Sequence, residues 1–507
     1  MTAARAIAAG IAALILGSAA LLAGQAQTWA LLPADLAAVR FTLTQAALSA
    51  AASVVLAIPV SRALFRRRFA GRSALIGLMA APFALPFVVA VLGLLTIFGR
   101  SGPVNMALAA LGLPPFSIYG LHGVVMANVF FNLPLATRML LHGWQNIPTE
   151  RFRLAQSLSM PPSAQFRHLE WPMLRAQTPG ILVVIFLVCL TSFAISLTLG
   201  GGPKSSTLEL AIYQSLRFDY DLGRASLLAM VQFSICAGVT LIASRLTLPD
   251  GLGSGLQGFA PMMPAKGWRR SADIVWISLA ALYLFAPLCA AMIKGLPGLA
   301  DLPNGVAAAL ARSVAVALGS SGLCTGLALC LALAAAQDKN RWIEVAAMLP
   351  LAASGLVLGT GLFIALRPVA RPEDIALPIT LLVNAVLALP FLVRLLLPAA
   401  RQMNANYGQL AQSLGLSGAA RLRYVTVPLL ARPIGYGAGL AAALSMGDLG
   451  VITLFAGQQG ATLPLLVQQL IGAYRMDQAA AVALILVLAS FTLFALLDYG
   501  ARRYADT

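Results

Sequence analysis

Long apolar runs separated by short polar segments are the main pattern along this chain of 507 residues. A helix needs about 20 apolar residues to cross a hydrocarbon layer about 30 Å thick. The runs have that length and lack the period-two alternation of a transmembrane strand, so they predict helices. We expect twelve spans, near residues 6–24, 41–61, 74–98, 120–141, 178–199, 223–243, 272–293, 308–335, 343–366, 375–397, 433–456 and 478–498.

Composition supports a membrane protein and argues against other classes. Hydrophobic residues make up 60% of the chain and charged residues 10%, whereas soluble domains carry roughly 25% charged residues. The net charge of +17 comes from basic residues dispersed between apolar runs, which argues against a nucleic-acid partner and for contact with membrane lipid. The five cysteines have no CxxC spacing and the three histidines are scattered, so we expect no metal site.

The distribution of lysine and arginine predicts the orientation. With the N-terminus inside, 24 of the 34 basic residues fall in inner segments and ten in outer ones. This bias predicts that both termini are cytoplasmic. The first run, within residues 1–27, could also be a cleaved secretory signal. An intact first span is favoured, because removing it would invert every later segment and reverse the bias.

The chain contains an internal repeat. Residues 154–158 read LAQSL, and the same five letters recur at 410–414, a shift of 256 positions. At that shift, further matches extend without a gap from Asn128 and Asn384 to Gly201 and Gly457. A shared register over such a length indicates duplication.

The repeat predicts two parallel halves of six spans each, residues 1–245 and 271–507. Residues 246–270 between them are rich in glycine and proline and read as a cytoplasmic linker. An even number of spans gives both halves the same orientation. That orientation argues against carriers built from inverted repeats.

The repeated motif lies between spans four and five of each half, in Thr149–Arg175 and Asn406–Arg432. Apolar residues at helical spacing alternate there with arginine and polar residues. Prolines interrupt the first segment and glycines the second, so each predicts two short helices joined by a bend on the cytoplasmic face. A helix lying on the membrane surface is one interpretation. Duplication of the segment favours docking of a two-fold partner.

These segments resemble the cytoplasmic loop of importer-type ABC-transporter permeases. That pattern is Glu-Ala-Ala, three residues, Gly, nine residues, Ile, one residue and Leu-Pro. The pattern aligns with Arg153, Leu154, Ala155, Ser159, Leu169, Trp171 and Pro172 in the first half, and with Gln409, Leu410, Ala411, Gly415, Val425, Val427 and Pro428 in the second. The leading Glu is absent from both halves, and Ser159 replaces the glycine in the first.

Two longer segments, Ser192–Gln232 and Leu444–Leu488, resemble the fused permeases of bacterial thiamine and thiamine pyrophosphate importers. Fused iron(III) and putrescine-type permeases are the alternatives. The resemblance implies an all-α polytopic fold of the type I importer class. It also implies a cytoplasmic ABC ATPase dimer that binds ATP and Mg, with no cofactor in this chain, and a periplasmic thiamine-binding protein.

The resemblance also implies which residues touch the ATPase. The expected coupling residues, which follow the repeated motif, are Leu154, Ala155, Gln156, Ser157, Leu158, Ser159, Pro172, Leu410, Ala411, Gln412, Ser413, Leu414, Gly415 and Pro428. We expect no catalytic residue in the chain.

Polar residues inside the spans are the candidates for a substrate pathway. Ionisable groups in the membrane are rare and usually functional, and Asp448 is the clearest, with Ser192 at the equivalent position of the first half. An acid satisfied by a nearby helix end is the other interpretation. Asn128 and Asn384 are duplicated candidates, with interhelical hydrogen bonding as their alternative role. A proton- or ion-driven carrier would need paired membrane carboxylates, and Asp448 is nearly alone.

Overall fold

The structure, a computed structural model, describes residues 2–26, 29–79, 85–200, 202, 205–244, 267–337, 342–457 and 460–506. Within these ranges the regular structure is helical. Eleven helices are long and apolar enough to cross a membrane, and a bent pair raises the number to twelve. The prediction of about twelve membrane helices is therefore confirmed. The predicted linker 246–270 lies mostly outside the described residues, and its last residues begin a helix at Trp268.

The first half contains twelve helices in its described part. They are α1 (Thr2–Gln25), α2 (Pro33–Arg66), α3 (Arg72–Leu78), α4 (Phe87–Phe98), α5 (Pro103–Ala110), α6 (Leu121–Gln145), α7 (Thr149–Ser157), α8 (Pro162–Gln165), α9 (Trp171–Leu190), α10 (Phe193–Leu199), α11 (Leu208–Arg217) and α12 (Leu222–Ser244). A π-helical turn, Phe166–Glu170, joins α8 to α9.

The second half repeats this order in its described part. Its helices are α13 (Trp268–Gly298), α14 (Val306–Gln337), α15 (Trp342–Met348), α16 (Gly355–Leu366), α17 (Pro372–Ser413), α18 (Gly418–Arg421), α19 (Val427–Met446), α20 (Gly450–Phe455), α21 (Leu463–Gly472) and α22 (Met476–Asp506). A π-helical turn recurs at Leu422–Thr426, 256 positions after the first. Helix α5 has no counterpart, because α17 begins six residues after α16 ends.

Several predicted spans are broken. The predicted span 178–199 is wrong as one helix, since α9 ends at Leu190 and α10 begins at Phe193. The predicted span 433–456 is broken in the same way between α19 and α20. The span near 343–366 bends by 90° between α15 and α16. For the span near 74–98, α3 and α4 are separate helices, and residues 80–84 between them lie outside the described ranges.

The first helix of each half packs on the other half. Helix α1 lies against α16, and α13 lies against α4. Glycines permit the close approach: a Cβ on Gly93 would sit 2.2 Å from the carbonyl oxygen of Pro287, and one on Gly361 would sit 2.7 Å from the Cβ of Ser18. Small residues at such crossings let helix backbones meet in a membrane. The two halves are thereby interlocked.

The repeated segment between the fourth and fifth predicted spans differs between the halves. In the first half it begins with a separate short helix, α7, as predicted. In the second half the prediction of two short helices is wrong, because α17 continues from the membrane span to Ser413. Pro148 explains the difference: it lacks an N–H and sits just before α7, whereas Asn404 occupies the equivalent place in α17.

Candidate functional site

The two repeated loops end their first helix in the same way. The N–H of Ser159 bonds to Gln156 O and that of Met160 to Ala155 O, and the same two bonds recur at Gly415 and Leu416. This is the Schellman pattern, in which the residue after the helix end is left-handed. Ser159 has φ of +50° and Gly415 has φ of +65°. Ser159 therefore adopts the left-handed backbone conformation that Gly415 has at the equivalent position.

The helix end that the two loops share exposes leucine side chains on the outer surface. Ala155 and Ala411 are 2% exposed, whereas Leu154, Leu158, Leu410 and Leu414 are between 55% and 65% exposed. The alanines thus pack the loop onto the protein, and each loop shows a pair of leucines on its outer surface. Of the other predicted coupling residues, Gln156 and Pro428 are half-buried, and the exposed ones are Ser157, Ser159, Pro172, Gln412, Ser413 and Gly415.

An ion network anchors the loop of the first half. Glu170, in the π-helical turn, is fully buried and accepts hydrogen bonds from Arg62 at 2.5 and 2.8 Å. Trp144 Nε1 donates to it at 3.3 Å, and Arg66 lies 3.6 Å away. The carboxylate therefore connects the loop to α2 and α6. Thr426 stands at the equivalent position in the second half.

A cavity of about 440 Å³ lies where the two halves meet. Its wall is formed by the broken spans: the joint between α9 and α10, the joint between α19 and α20, and the bend between α15 and α16. Its size falls within the range of about 300–1,000 Å³ typical of small-molecule sites. Backbone that leaves the helix at membrane depth is usual where it lines such a cavity.

Three of the four predicted pathway residues line this cavity: Ser192, Asn384 and Asp448. Asp448 lies in the joint before α20, where its Oδ1 accepts the N–H of Gly450 at 3.2 Å. Its Oδ2 is buried and has no hydrogen-bond partner among the described residues. The N–H groups of Val451 and Ile452, at the start of α20, also act on this carboxyl, so the alternative of an acid satisfied by a helix end accounts for much of its bonding. Asn384 lies beside this carboxyl and donates to Ser445 Oγ at 3.0 Å.

Asn128 lies elsewhere and is not among the described residues that line the cavity. Its amide donates to Gln45 Oε1 at 2.8 Å, and Gln45 in turn donates to the carbonyl of Cys189 at 2.8 Å. These bonds connect α6, α2 and α9 inside the first half. They correspond to the interhelical role that the sequence left open for the duplicated asparagines.

The sequence did not reveal a second acid in the cavity wall. Glu209, at the start of α11, is 2% exposed and lines the cavity. The backbone N–H of Phe193 donates to its carboxyl, and Ser354 of the other half lies beside it. Its Oε2 has no partner among the described residues. Thr207 was the residue in the sequence that could have indicated a helix here. Its side chain caps α11 by accepting a hydrogen bond from Leu210 N at 3.4 Å, and threonine is a common residue at the start of a helix.

Aromatic rings complete the wall. Phe87, Phe193 and Phe391 all line the cavity. A Cβ on Gly450 would meet both the Asp448 carboxyl, at 3.7 Å, and the Phe193 ring, at 4.0 Å. Since the backbone of Phe193 also binds Glu209, this residue stands between the two acids. The wall therefore combines apolar surface, ring faces and two carboxyls, which suits a small cation with aromatic character.

Comparison with known proteins identifies similar chains. The family model described as "Binding-protein-dependent transport system inner membrane component" matches residues 329–505. The thiamine transport system permease protein ThiP of Salmonella typhimurium is 41% identical over 92% of this chain and 90% of its own length. The protein of the same name from Brucella abortus is 39% identical over 91% of this chain and 87% of its own length.

A shorter relative bears on the duplication. The molybdenum transport system permease protein ModB of Azotobacter vinelandii is 30% identical to a region covering 42% of this chain, and the match includes 94% of its own length. A nearly complete permease of that kind thus spans less than half of this chain. This proportion agrees with the repeated order of helices.

Proposed function

This chain belongs to the family of thiamine transport system permeases, and we propose that it is the membrane pathway of a bacterial ATP-driven thiamine importer. The cargo is thiamine or thiamine pyrophosphate, delivered by a periplasmic binding protein. The observation that carries the proposal is the cavity between the halves, with two carboxyls and three phenylalanine rings in its wall. Fused iron(III) or polyamine transport is the competing assignment.

A partner ATPase dimer docks on the two repeated loops in this proposal. In each loop one alanine is buried against the protein and two leucines are exposed on the opposite surface. Apolar pairs at equivalent places in both halves suit two copies of one partner, because a two-fold dimer offers the same groove twice. ATP and Mg are bound by that partner, and this chain needs no cofactor.

The proposed orientation follows the positive-inside count and puts both termini and both loops in the cytoplasm of a bacterial inner membrane. The binding protein then approaches from the periplasmic side. On this side lie the connections opposite the loops, including α5 and the segment that precedes α6. Helix α5 is present in the first half only, so the two halves offer the binding protein different surfaces.

Transport couples to ATP through movement of the loops. When the ATPases close on ATP, they draw the two loops together, and the span bundles rock about the interlocked first helices. The ion pairs of Glu170 carry this movement from the first loop into α2 and α6. The cavity then changes the side to which it is open, as alternating access requires.

The test is ATP hydrolysis and uptake in a reconstituted complex. The chain is purified with its co-expressed ATPase, placed in lipid vesicles and supplied with binding protein loaded with thiamine or with iron(III). We expect stimulation and uptake with thiamine alone. Stimulation by iron would reassign the cargo, and uptake that follows a proton gradient without any ATPase would refute the importer itself.

The docking surface has its own test. Leu158→Asp combined with Leu414→Asp places charge in both exposed leucine pairs, and we expect the ATPase to stop co-purifying. Leu111→Asp is the control, since Leu111 is at least as exposed and lies at the end of α5, opposite the loops, and this variant should keep the ATPase. Retention of the ATPase by the double variant would contradict the docking proposal.

A further inference from the structure

We propose that Glu209 and Asp448, one acid from each half, form with the Phe193 ring a binding site for a flat organic cation inside the central cavity. The inference rests on the proposed function and names the groups that recognise the charge of thiamine. The site is not a product of the duplication. Pro464 is the second residue of α21, as Glu209 is of α11, so these two positions are equivalent in the helices. Ser192 stands at the position equivalent to Asp448.

Each carboxyl keeps one oxygen without a partner. Glu209 is bonded by the N–H of Phe193 and by Ser354, and Asp448 by the N–H of Gly450, with Val451, Ile452 and Asn384 also acting on it. The second oxygen of each is buried and meets no hydrogen-bond partner among the described residues. A buried carboxyl oxygen left unpaired is unfavourable, and an opposite charge placed against it restores the lost interaction. The cavity wall therefore presents two acceptor oxygens that a cation would satisfy.

The ring between the acids adds a second means of recognition. The side chain of Phe193 lies near Asp448, and its backbone binds Glu209. Tyr213 meets this ring edge-on at 5.4 Å between centroids, and this contact fixes its orientation. The thiazolium nitrogen of thiamine is alkylated and carries no N–H, so it binds through charge and ring faces. The exocyclic amine of its pyrimidine supplies N–H donors for the remaining carboxyl.

One basic residue, Arg394, also belongs to the cavity wall. It lies ten residues beyond Asn384 on α17, which is about 15 Å along a helix. Asn384 lies beside Asp448, so the backbone of Arg394 is about three turns away from this acid. The two acids and Phe193 therefore lie on elements other than the helix that carries Arg394 and Phe391.

The test measures binding to the cavity without the binding protein. The nucleotide-free complex of this chain with its ATPase is placed in lipid nanodiscs. Radiolabelled thiamine is bound and then displaced by thiamine or by its neutral isostere, in which carbon replaces the thiazolium nitrogen. We expect Glu209→Gln and Asp448→Asn each to weaken thiamine binding by about 10- to 30-fold. The affinity for the neutral isostere should stay within about two-fold.

Two further variants separate recognition from folding. Glu209→Asp keeps the charge and should recover part of the thiamine affinity. Asp498→Asn removes a carboxylate that pairs with Arg502 outside the cavity wall, and it should leave both affinities unchanged. All variants must co-purify with the ATPase, which shows that they fold.

Three results would overturn the inference: unchanged thiamine affinity in both acid variants, an equal loss for thiamine and the isostere, or no thiamine binding by a wild-type complex that still imports thiamine. The last result leaves the proposed function intact. A wild-type complex that neither imports thiamine nor responds to it instead refutes the proposed function.

Discussion

Neutralising Glu170 tests whether the repeated loop of the first half, Thr149–Arg175, depends on its buried ion network for stability. Glu170→Gln keeps the shape of the side chain and removes its charge. Arg62 and Arg66 then face a neutral amide, although their side chains remain only 25% and 9% exposed. The amide also turns an N–H donor toward groups that are donors themselves, so at least one of the present hydrogen bonds is lost.

The expected cost follows from the burial of the partners. Removing one partner of a buried ion pair costs about 3–5 kcal/mol, because the other charge is left uncompensated. Arg62 keeps some contact with solvent and can turn toward it, so the lower end applies. We expect a loss of about 3 kcal/mol in the free energy of unfolding, a factor of about 150 in the equilibrium constant.

The assay is reversible unfolding in mixed detergent micelles, followed by far-UV circular dichroism, in a double-mutant cycle. The cycle contains Glu170→Gln, Arg62→Gln and their combination. If the two groups stabilise each other, the double variant loses much less than the sum of the single losses. Glu150→Gln, an exposed change in the first turn of α7, should stay within about 0.5 kcal/mol of wild type. A coupling energy below about 0.5 kcal/mol would refute the reasoning.

Three other substitutions test the geometry of the loops and of the interlock. Ser159→Gly should raise the free energy of unfolding by about 1 kcal/mol, since it relieves a left-handed serine; no gain in the same micelle titration contradicts this. Gly415→Leu strains the equivalent position and should uncouple ATP hydrolysis from thiamine uptake, a prediction that fails if uptake continues at the wild-type rate. Gly93→Ala meets the Pro287 backbone and should lower the melting temperature, whereas Gly77→Ala, with open space around it, should not; equal melting temperatures would show that the crossing can widen.

The membrane spans and the duplication were predictable because both depend on simple sequence signals. The length of an apolar run counts the residues that can cross the bilayer, and the shift between Leu154 and Leu410 holds across the loops. The prediction of two short helices joined by a bend holds in the first half, where α7 ends at Ser157 and α8 begins at Pro162, and is wrong in the second, where α17 continues to Ser413. Pro148 precedes α7, but α17 contains three prolines without a break, so a proline in the sequence does not by itself foretell the difference.

The breaks in the spans left only short signals. Polar or helix-breaking residues mark them, namely Thr191 and Ser192, Gly447 and Asp448, and Pro350 and Ser354, but apolar runs flank each one, so a hydropathy window sees one span. Glu209 was missed for a related reason. Helix α11 is ten residues long, too short to read as a span, and a lone acid in such a segment looks solvated until its burial is known.

The interlock also could not be predicted, because every helix in the bundle is apolar enough to pack on any other. The contact of Gly93 with Pro287 and that of Gly361 with Ser18 help to specify which helix crosses which. These glycines occur in a chain with 44 of them. Their role depends on two distant segments meeting, which a single sequence does not record.

The two halves repeat most of their helices and differ in their charged residues. Equivalent helices, π-helical turns and Schellman ends give the two repeated loops matching geometry, which the proposed docking of a two-fold partner requires. The charged residues break that symmetry, because the positions equivalent to Glu170, Asp448 and Glu209 hold Thr426, Ser192 and Pro464. A cargo such as thiamine, with a charged ring at one end and an amine-bearing ring at the other, has no two-fold axis. In the proposed mechanism a symmetric frame with asymmetric acids meets both demands, since the duplication would supply the motion and the divergence of the halves the recognition.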